Sequence, residues 1–240
     1  MSAFEGTADY YARFRPAYPA TLIEKLAGLA GLRPDRDRVL DLGAGTGHVA
    51  VPIAVHALEV VAVEPDDGMV RALQARAPSN VRVLQTRVEG MADLGTFALA
   101  TAGRSIHWFA SDELFARLAT ITPRVALLGD LPRQSEAQAA VLDLAREFRT
   151  TESAQARDRR PFVELLAASP FSEVETISVE TERTWTVDEL IGLAYSTSFA
   201  SVQRLGERRA EFEAAARARL EPFYREVARV DAVVGTRPLS

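Results

Sequence analysis

The sequence predicts an α/β fold built on a parallel sheet, and three observations carry that reading. Short apolar runs of β-forming residues alternate along the chain with stretches whose apolar positions recur every three to four residues. The run Val39-Leu-Asp-Leu42 breaks into glycines at 43, 45 and 47, and a helical pattern follows from His48 to Ala54. The next apolar run, Val60-Val61-Ala62-Val63, ends on an acid, Glu64. Strand, glycine turn, helix and an acid-tipped second strand form the opening unit of a nucleotide-type α/β site.

Composition bounds the alternatives. At 240 residues the chain suits one large α/β domain, or one domain with a helical cap, and it can bury a proper core. A hydrophobic content of 48% argues against disorder. No apolar run reaches membrane-spanning length, and Met1-Ser-Ala-Phe-Glu-Gly6 lacks a charged start followed by an apolar stretch, so a soluble, cytoplasmic protein is expected. Cysteine is absent, which excludes disulfides, thiol catalysis and thiolate–zinc sites. His48, His56 and His107 make no close pair, so no metal site is expected. A formal charge of −5 gives no general attraction to nucleic acid.

Taken in order, residues 7–19 alternate tyrosine and arginine, and Pro16 and Pro19 stop any long helix there. The segment reads as an arm packed on the core or as a lid, with Arg13 or Arg15 facing a carboxylate. Apolar positions 22, 23, 26 and 29 predict a helix over 19–29. The first strand spans 39–42. Gly43 and Gly45 lack a Cβ, so they can take positive φ and let backbone N–H groups approach a ligand. A helix over 46–57, bent at Pro52, aims its N-terminal dipole at that ligand. The second strand, 60–63, is apolar throughout, as a buried parallel strand should be. Glu64 at its end can accept bonds from two ribose hydroxyls. Pro65-Asp66-Asp67-Gly68 supplies a helix cap, and Met69 lies one turn beyond Glu64 as core packing or as padding for a flat ring.

Val81–Leu84 is a third strand, followed by Thr86-Arg-Val-Glu-Gly90. A fourth strand runs over 97–101. Gly103-Arg-Ser-Ile-His107-Trp108-Phe109 then falls beyond a strand's carboxyl end, where open sheets bind ligands. Its His-Trp pair either caps the core or faces a ligand. Ser111 caps a further helix, 123–129 is a fifth strand, and 134–149 is a helix. Arg157-Asp-Arg-Arg-Pro161 reads as a solvated link, 162–168 as a short helix and 174–185 as a sixth strand. Residues 186–226 read as helical, capped by Thr186 with Glu189, with Glu213–Arg217 and Glu221–Arg225 as four-apart ion pairs and Phe212, Ala216 and Phe223 on the opposite face. Residues 229–236 alternate as a last strand.

Asp41-Leu-Gly-Ala-Gly-Thr-Gly47 resembles the first motif of the class I S-adenosylmethionine-dependent methyltransferases. A dinucleotide fingerprint would need glycine at 48, where this chain has histidine. Tyr11-Ala-Arg-Phe-Arg-Pro-Ala-Tyr-Pro19 and His107-Trp-Phe109 are similar to signatures of the methyltransferase type 11 subgroup that includes trans-aconitate methyltransferases. The resemblance covers roughly positions 7 to 130 with specific motifs and the rest by topology. It implies a Rossmann-like doubly wound sheet of seven strands, the last antiparallel, with a helical cap. It also implies S-adenosyl-L-methionine as cofactor, held by Tyr10, Arg15, Asp41, Gly43, Ala44, Gly45, Glu64, Pro65, Met69, Val88, Glu89 and Thr101. His107, Trp108 and Tyr195 would face the acceptor, with His107 as candidate base. Arg87 departs from the pattern, because an acid often stands there to bond the adenine amino group and arginine has no acceptor.

The expected activity is therefore methyl transfer to a small-molecule acceptor, on a single domain comprising an N-terminal lid and first helix (1–36), a cofactor core (37–130) and a helical cap (186–226). The acceptor and the methylated atom, oxygen, nitrogen or carbon, stay open, as does the choice of monomer or homodimer. Two further readings keep the cofactor but not the reaction: a cyclisation or elimination enzyme, and a non-catalytic partner subunit. An NAD enzyme is the remaining rival.

Overall fold

The computed structural model describes residues 6–131, 135–150, 158 and 160–238. The sequence expectations on residues 1–5, on Arg157 and Arg159 of the charged link, and on position 134 lie outside these. The elements in chain order are α1 (Ala8–Phe14), α2 (Ala20–Ala30), β1 (Arg38–Leu42), α3 (Ala50–Ile53), β2 (Glu59–Val63), α4 (Asp67–Gln74), β3 (Val81–Leu84), β4 (Leu99–Gly103), α5 (Asp112–Ile121), β5 (Arg124–Leu131), α6 (Glu136–Arg146), α7 (Phe162–Ala167), β6 (Glu173–Thr186), α8 (Val187–Tyr195), α9 (Val202–Leu205), α10 (Arg209–Arg219) and β7 (Phe223–Thr236). Together the strands form one seven-stranded sheet in the order β3-β2-β1-β4-β5-β7-β6, with the last strand antiparallel.

The chain divides into two compact units. The larger comprises Tyr18–Gly129, Ala156–Val179 and Val230–Ser240. Its strands β3, β2, β1, β4 and β5 pair in parallel, with Asp41 of β1 level with Ala62 of β2 and Thr101 of β4. Both faces of this parallel sheet are covered, as its apolar strands require. Leu22, Leu26, Val39, Ile53, Val60 and Leu99 are buried on one side. Leu40, Val61, Phe97, Phe115, Leu118 and Phe171 are buried on the other. Strand order reverses between β1 and β4. That switch point opens a crevice at the carboxyl ends of the strands, where ligands of such sheets bind.

The smaller unit is drawn from Met1–Ala17, Asp130–Gln155 and Glu180–Arg229. Helices α1, α6, α8 and α10 pack around Trp185, Tyr195, Leu190 and Phe212, all at most 2% exposed. The Thr186–Glu189 capping box sets the start of α8. Phe14 lies where a side chain at position 192 would stand: a Cβ on Gly192 would sit 2.5 Å from its ring. Only glycine admits α1 that close to α8.

Two sequence expectations need correction. The helix over 46–57 is far shorter: residues up to Val49 form turns, α3 is one turn long and a 3₁₀ turn (Ala54–His56) follows. Gly47 at φ 89° interrupts the helical conformation before α3 begins, and Pro52 removes a donor within it. The helical stretch to residue 226 ends instead at Arg219, and β7 starts at Phe223, six residues before the strand was expected. Pro222 disfavours helical geometry at Glu221. So Glu221 and Arg225 form no helical pair, and Phe223 lies on a strand and is exposed. Glu213–Arg217 does form, at 3.5 Å on α10.

Candidate functional site

Everything at the crevice of the larger unit starts from two buried carboxylates. Asp41, 1% exposed, sits near the end of β1. Its Oδ1 accepts the Thr101 hydroxyl of β4 at 2.8 Å, and its Oδ2 accepts the Ala50 N–H at the start of α3 at 3.1 Å. One side chain thus ties β1, β4 and α3 together, and an otherwise orphan helix N–H is satisfied. Burial pushes the Asp41 carboxyl up to about 7, against the pull of those two bonds, and the neighbouring Glu64 charge pushes in the same direction.

Glu64, 7% exposed, closes the loop from the other side. Its Oε2 accepts the Gly45 N–H at 2.8 Å and its Oε1 the Asp66 N–H at 2.9 Å. Burial raises the Glu64 pKa, and the two backbone donors oppose that rise. A carboxylate offers about four acceptor positions, of which these bonds use two.

Between the carboxylates lies the glycine turn. Gly43, Gly45 and Gly47 have φ of 62°, 55° and 89°, the left-handed region that glycine enters without strain. A Cβ on Gly43 would fall 2.8 Å from Ser105 Cβ and 3.0 Å from the Phe109 ring. The segment after β4 therefore presses directly on the turn. The Ser105 hydroxyl donates to the Leu42 carbonyl at 2.7 Å and pins it there. Within the turn, buried Thr46 and His48 share a hydrogen bond between Oγ1 and Nδ1 at 3.0 Å.

The pinned segment carries His107 and Trp108 in a 3₁₀ turn (Ile106–Trp108), both half-buried, with ring centroids 5.0 Å apart. The His107 carbonyl accepts the Asp158 N–H at 3.2 Å. Beyond Glu64, exposed Pro65 precedes the Asp66 cap of α4, whose side chain accepts the Met69 N–H at 3.0 Å. Met69 is 2% exposed. Val88 is buried and Glu89 exposed in a 3₁₀ turn (Val88–Gly90) after β3.

The chain is similar to proteins described as methyltransferases. Residues 39–125 match the family model for a methyltransferase domain. Uncharacterized methyltransferases of Mycobacterium tuberculosis and Mycobacterium bovis are 28% identical over 197 residues, 82% of this chain and 77% of theirs. A methyltransferase of Thiobacillus denitrificans solved with S-adenosyl-L-homocysteine superposes with a TM-score of 0.54 at 14% identity, over 96% of each chain. A protein of Anaeromyxobacter dehalogenans described as a type II methyltransferase gives 0.58 at 22% identity, over 95% of this chain and all of its own. At those identities the two structures speak for the fold alone. Over residues 39–125 this chain has the sequence of a methyltransferase domain, and over most of its length it is similar to those mycobacterial methyltransferases.

The crevice has a geometry that suits a nucleoside ligand such as S-adenosylmethionine. Left-handed glycines in the turn and two spare acceptor positions on Glu64 suit a ligand with ribose hydroxyls. Of the residues singled out in the sequence, Asp41 bonds Thr101 and Glu64 bonds Gly45, two sets on either side of the turn that holds Gly43. Tyr10, Arg15 and Tyr195 belong to the smaller unit. There Tyr10 stands edge-on to Tyr195 at 5.1 Å. The Tyr195 hydroxyl donates to Glu213 Oε1 at 2.7 Å, and burial together with that bond raises its pKa. Arg15 lies over the Tyr11 ring at 5.3 Å.

Sequence reading missed Ser105, Asp66 as a donor to Glu64, and the Thr46–His48 pair. Asp66 had a local signal, since it follows the strand-end acid by two residues. Ser105 had none, because its partner carbonyl lies 63 residues away.

Proposed function

We propose that this methyltransferase acts on a small-molecule acceptor and that His107 removes a proton from it. The observation behind the proposal is the contact of the Ser105–Phe109 segment with Gly43, which carries His107 beside the glycine turn at the carboxyl end of β4. The cofactor supplies an electrophilic methyl group on a sulfonium. Gly43, Ala44 and Gly45 present backbone to it, and Glu64 accepts from the ribose hydroxyls. Pro65, Met69, Val88 and Glu89 flank the adenine, whose recognition rests on backbone and packing because Arg87 offers no acceptor. Asp41 and Thr101 hold the turn in place. Tyr10 and Arg15 as cofactor contacts, and Trp108 and Tyr195 as acceptor contacts, rest on the resemblance of their segments.

Methyl transfer to a good nucleophile needs alignment above all, and fixed positioning supplies much of the rate. A hydroxyl or ammonium acceptor needs a base as well, and an imidazole suits that task. Incubating the protein with methyl-labelled cofactor and a panel of hydroxy, amino and carboxylic small molecules tests the reading. Label transferred to one of them, with S-adenosylhomocysteine released in equal amount, supports it. Label transferred only to protein or nucleic acid overturns it. Cofactor consumed without a methylated product would favour cyclisation or elimination.

A further inference from the structure

One residue at the end of β4 holds a backbone conformation that its side chain makes costly. Among the described residues Arg104 is the one non-glycine at positive φ, 53°. An L side chain there crowds its own backbone, and such strain persists where the surroundings impose it. In the turn after β1 glycine takes this conformation, at 43, 45 and 47. At the end of β4 the glycine stands one position earlier. A Cβ on Gly103 would meet Val49 at 2.7 Å and the Tyr18 hydroxyl at 3.0 Å. The bend itself falls on the next residue, which carries a long side chain.

That side chain is held. The Arg104 guanidinium lies over the ring of Tyr18 at 4.4 Å, within cation–π range. Tyr18 is buried, and its hydroxyl donates to the Leu128 carbonyl of β5 at 3.2 Å. The Arg104 N–H donates to the same carbonyl at 2.9 Å. Backbone and side chain of Arg104 are thus both fixed on the β5 side. The next residue turns the other way, since the Ser105 hydroxyl reaches Leu42 on β1. With β4 lying between β1 and β5, Arg104 sets the direction in which the chain leaves β4 for the Ile106–Trp108 turn.

We propose that Arg104 is a positioning residue for the turn that carries His107. Its stack on Tyr18 stabilises the left-handed bend, and the bend sets the direction from which that turn meets the glycine turn at Gly43. The proposal rests on the His107 turn serving methyl transfer as inferred above, and Arg104 acts through it. A bend that mattered only for folding would be served as well or better by glycine, which enters the left-handed region without strain. A bend held by the side chain would not.

Trp108 reads the turn without any acceptor. Of the chain's two tryptophans, Trp185 is fully buried and Trp108 half-buried, so acrylamide quenching of the folded protein reports Trp108. Arg104→Gly should raise that quenching. It should also lower kcat for labelled-methyl transfer at least about tenfold, with S-adenosylhomocysteine affinity changing far less. Tyr18→Leu should reproduce both effects, and adding it to Arg104→Gly should add little, because the two remove one contact. Tyr18→Phe keeps the ring under the guanidinium and should behave like the wild type. Circular dichroism and S-adenosylhomocysteine binding verify that each variant folds. Wild-type quenching in Arg104→Gly overturns the proposal, as does wild-type turnover despite a loosened Trp108. His107→Ala separates this proposal from the base assignment. If it leaves turnover intact while Arg104→Gly loosens Trp108 and slows transfer, His107 loses the base role and Arg104 keeps its own. If it slows transfer while Arg104→Gly changes neither readout, only the role of Arg104 falls.

Discussion

The Glu64 carboxylate accepts the Gly45 N–H at 2.8 Å, joining the end of β2 to the glycine turn that follows β1. The same carboxylate accepts the Asp66 N–H, so it fixes the entry to α4 as well. One acid thus shapes both the glycine turn and the helix cap beside it. Its two remaining acceptor positions make it the natural partner of two vicinal hydroxyls.

Glu64→Ala should weaken S-adenosylhomocysteine binding by about 1–3 kcal/mol, the usual cost of losing bonds to a charged acceptor. Glu64→Gln, which keeps one acceptor oxygen, should fall between wild type and alanine. Titration calorimetry reads both. Equal affinity for all three proteins would remove Glu64 from the ribose role.

Much of this arrangement was legible because local chemistry dictates it. The unbroken apolar run at 60–63 reads as a buried parallel strand and is one, and an acid closing it is the mark of a nucleotide site. The misplaced boundaries have local causes that periodicity hides. Gly47 keeps apolar spacing yet breaks the helix, and Pro222 ends helical geometry before the Glu221–Arg225 pair that the charges suggested. Ser105 was invisible for another reason. Its bond to Leu42 and its pressure on Gly43 exist only once β1 and β4 are neighbours. The division of the chain into two units, each assembled from three separated segments, is likewise a property of contacts.

Gly43→Ala tests that pressure. The new methyl would stand 2.8 Å from Ser105 Cβ on a backbone at φ 62°. The substitution should destabilise the fold by about 1–3 kcal/mol in urea unfolding, from backbone strain and collision together. Pairing it with Ser105→Gly should recover only the steric share, since the φ penalty remains. Full recovery would mean the backbone there carries no strain.

Buried Asp41 makes a pH prediction whose sign is fixed. Its pKa rises from an ordinary 3.8 to about 7 on folding. Between these values the folded state keeps a proton that the unfolded state has released. The contribution to stability is therefore largest at low pH, falls as pH climbs through that window, and is level above about 7. Glu64, also raised by burial, adds in the same direction. Cofactor-free protein should be less stable at about pH 8 than at about pH 5, by on the order of a few kcal/mol. Asp41→Asn should remove most of that slope, leaving the Glu64 share. Urea denaturation of both proteins at the two pH values decides it, and a slope of the opposite sign would show that Asp41 is not held protonated by burial.

His107 offers the sharpest separation of chemistry from architecture. Its turn is held by Ser105 on one side and by the Asp158 N–H on its own carbonyl, contacts made through other residues and through backbone. Removing the imidazole should therefore leave the turn in place. With a hydroxyl or ammonium acceptor, His107→Ala should lower kcat by about 10²–10⁴, the range for losing a general base, while S-adenosylhomocysteine affinity stays near the wild-type value. The pH–rate profile should also lose its acidic limb, which a residue that only shapes the pocket would not cause. His107→Gln preserves hydrogen bonding and much of the side-chain volume but cannot take the proton. If glutamine restores turnover, the side chain positions the acceptor, and proton removal must be assigned to solvent or to the acceptor's own acidity.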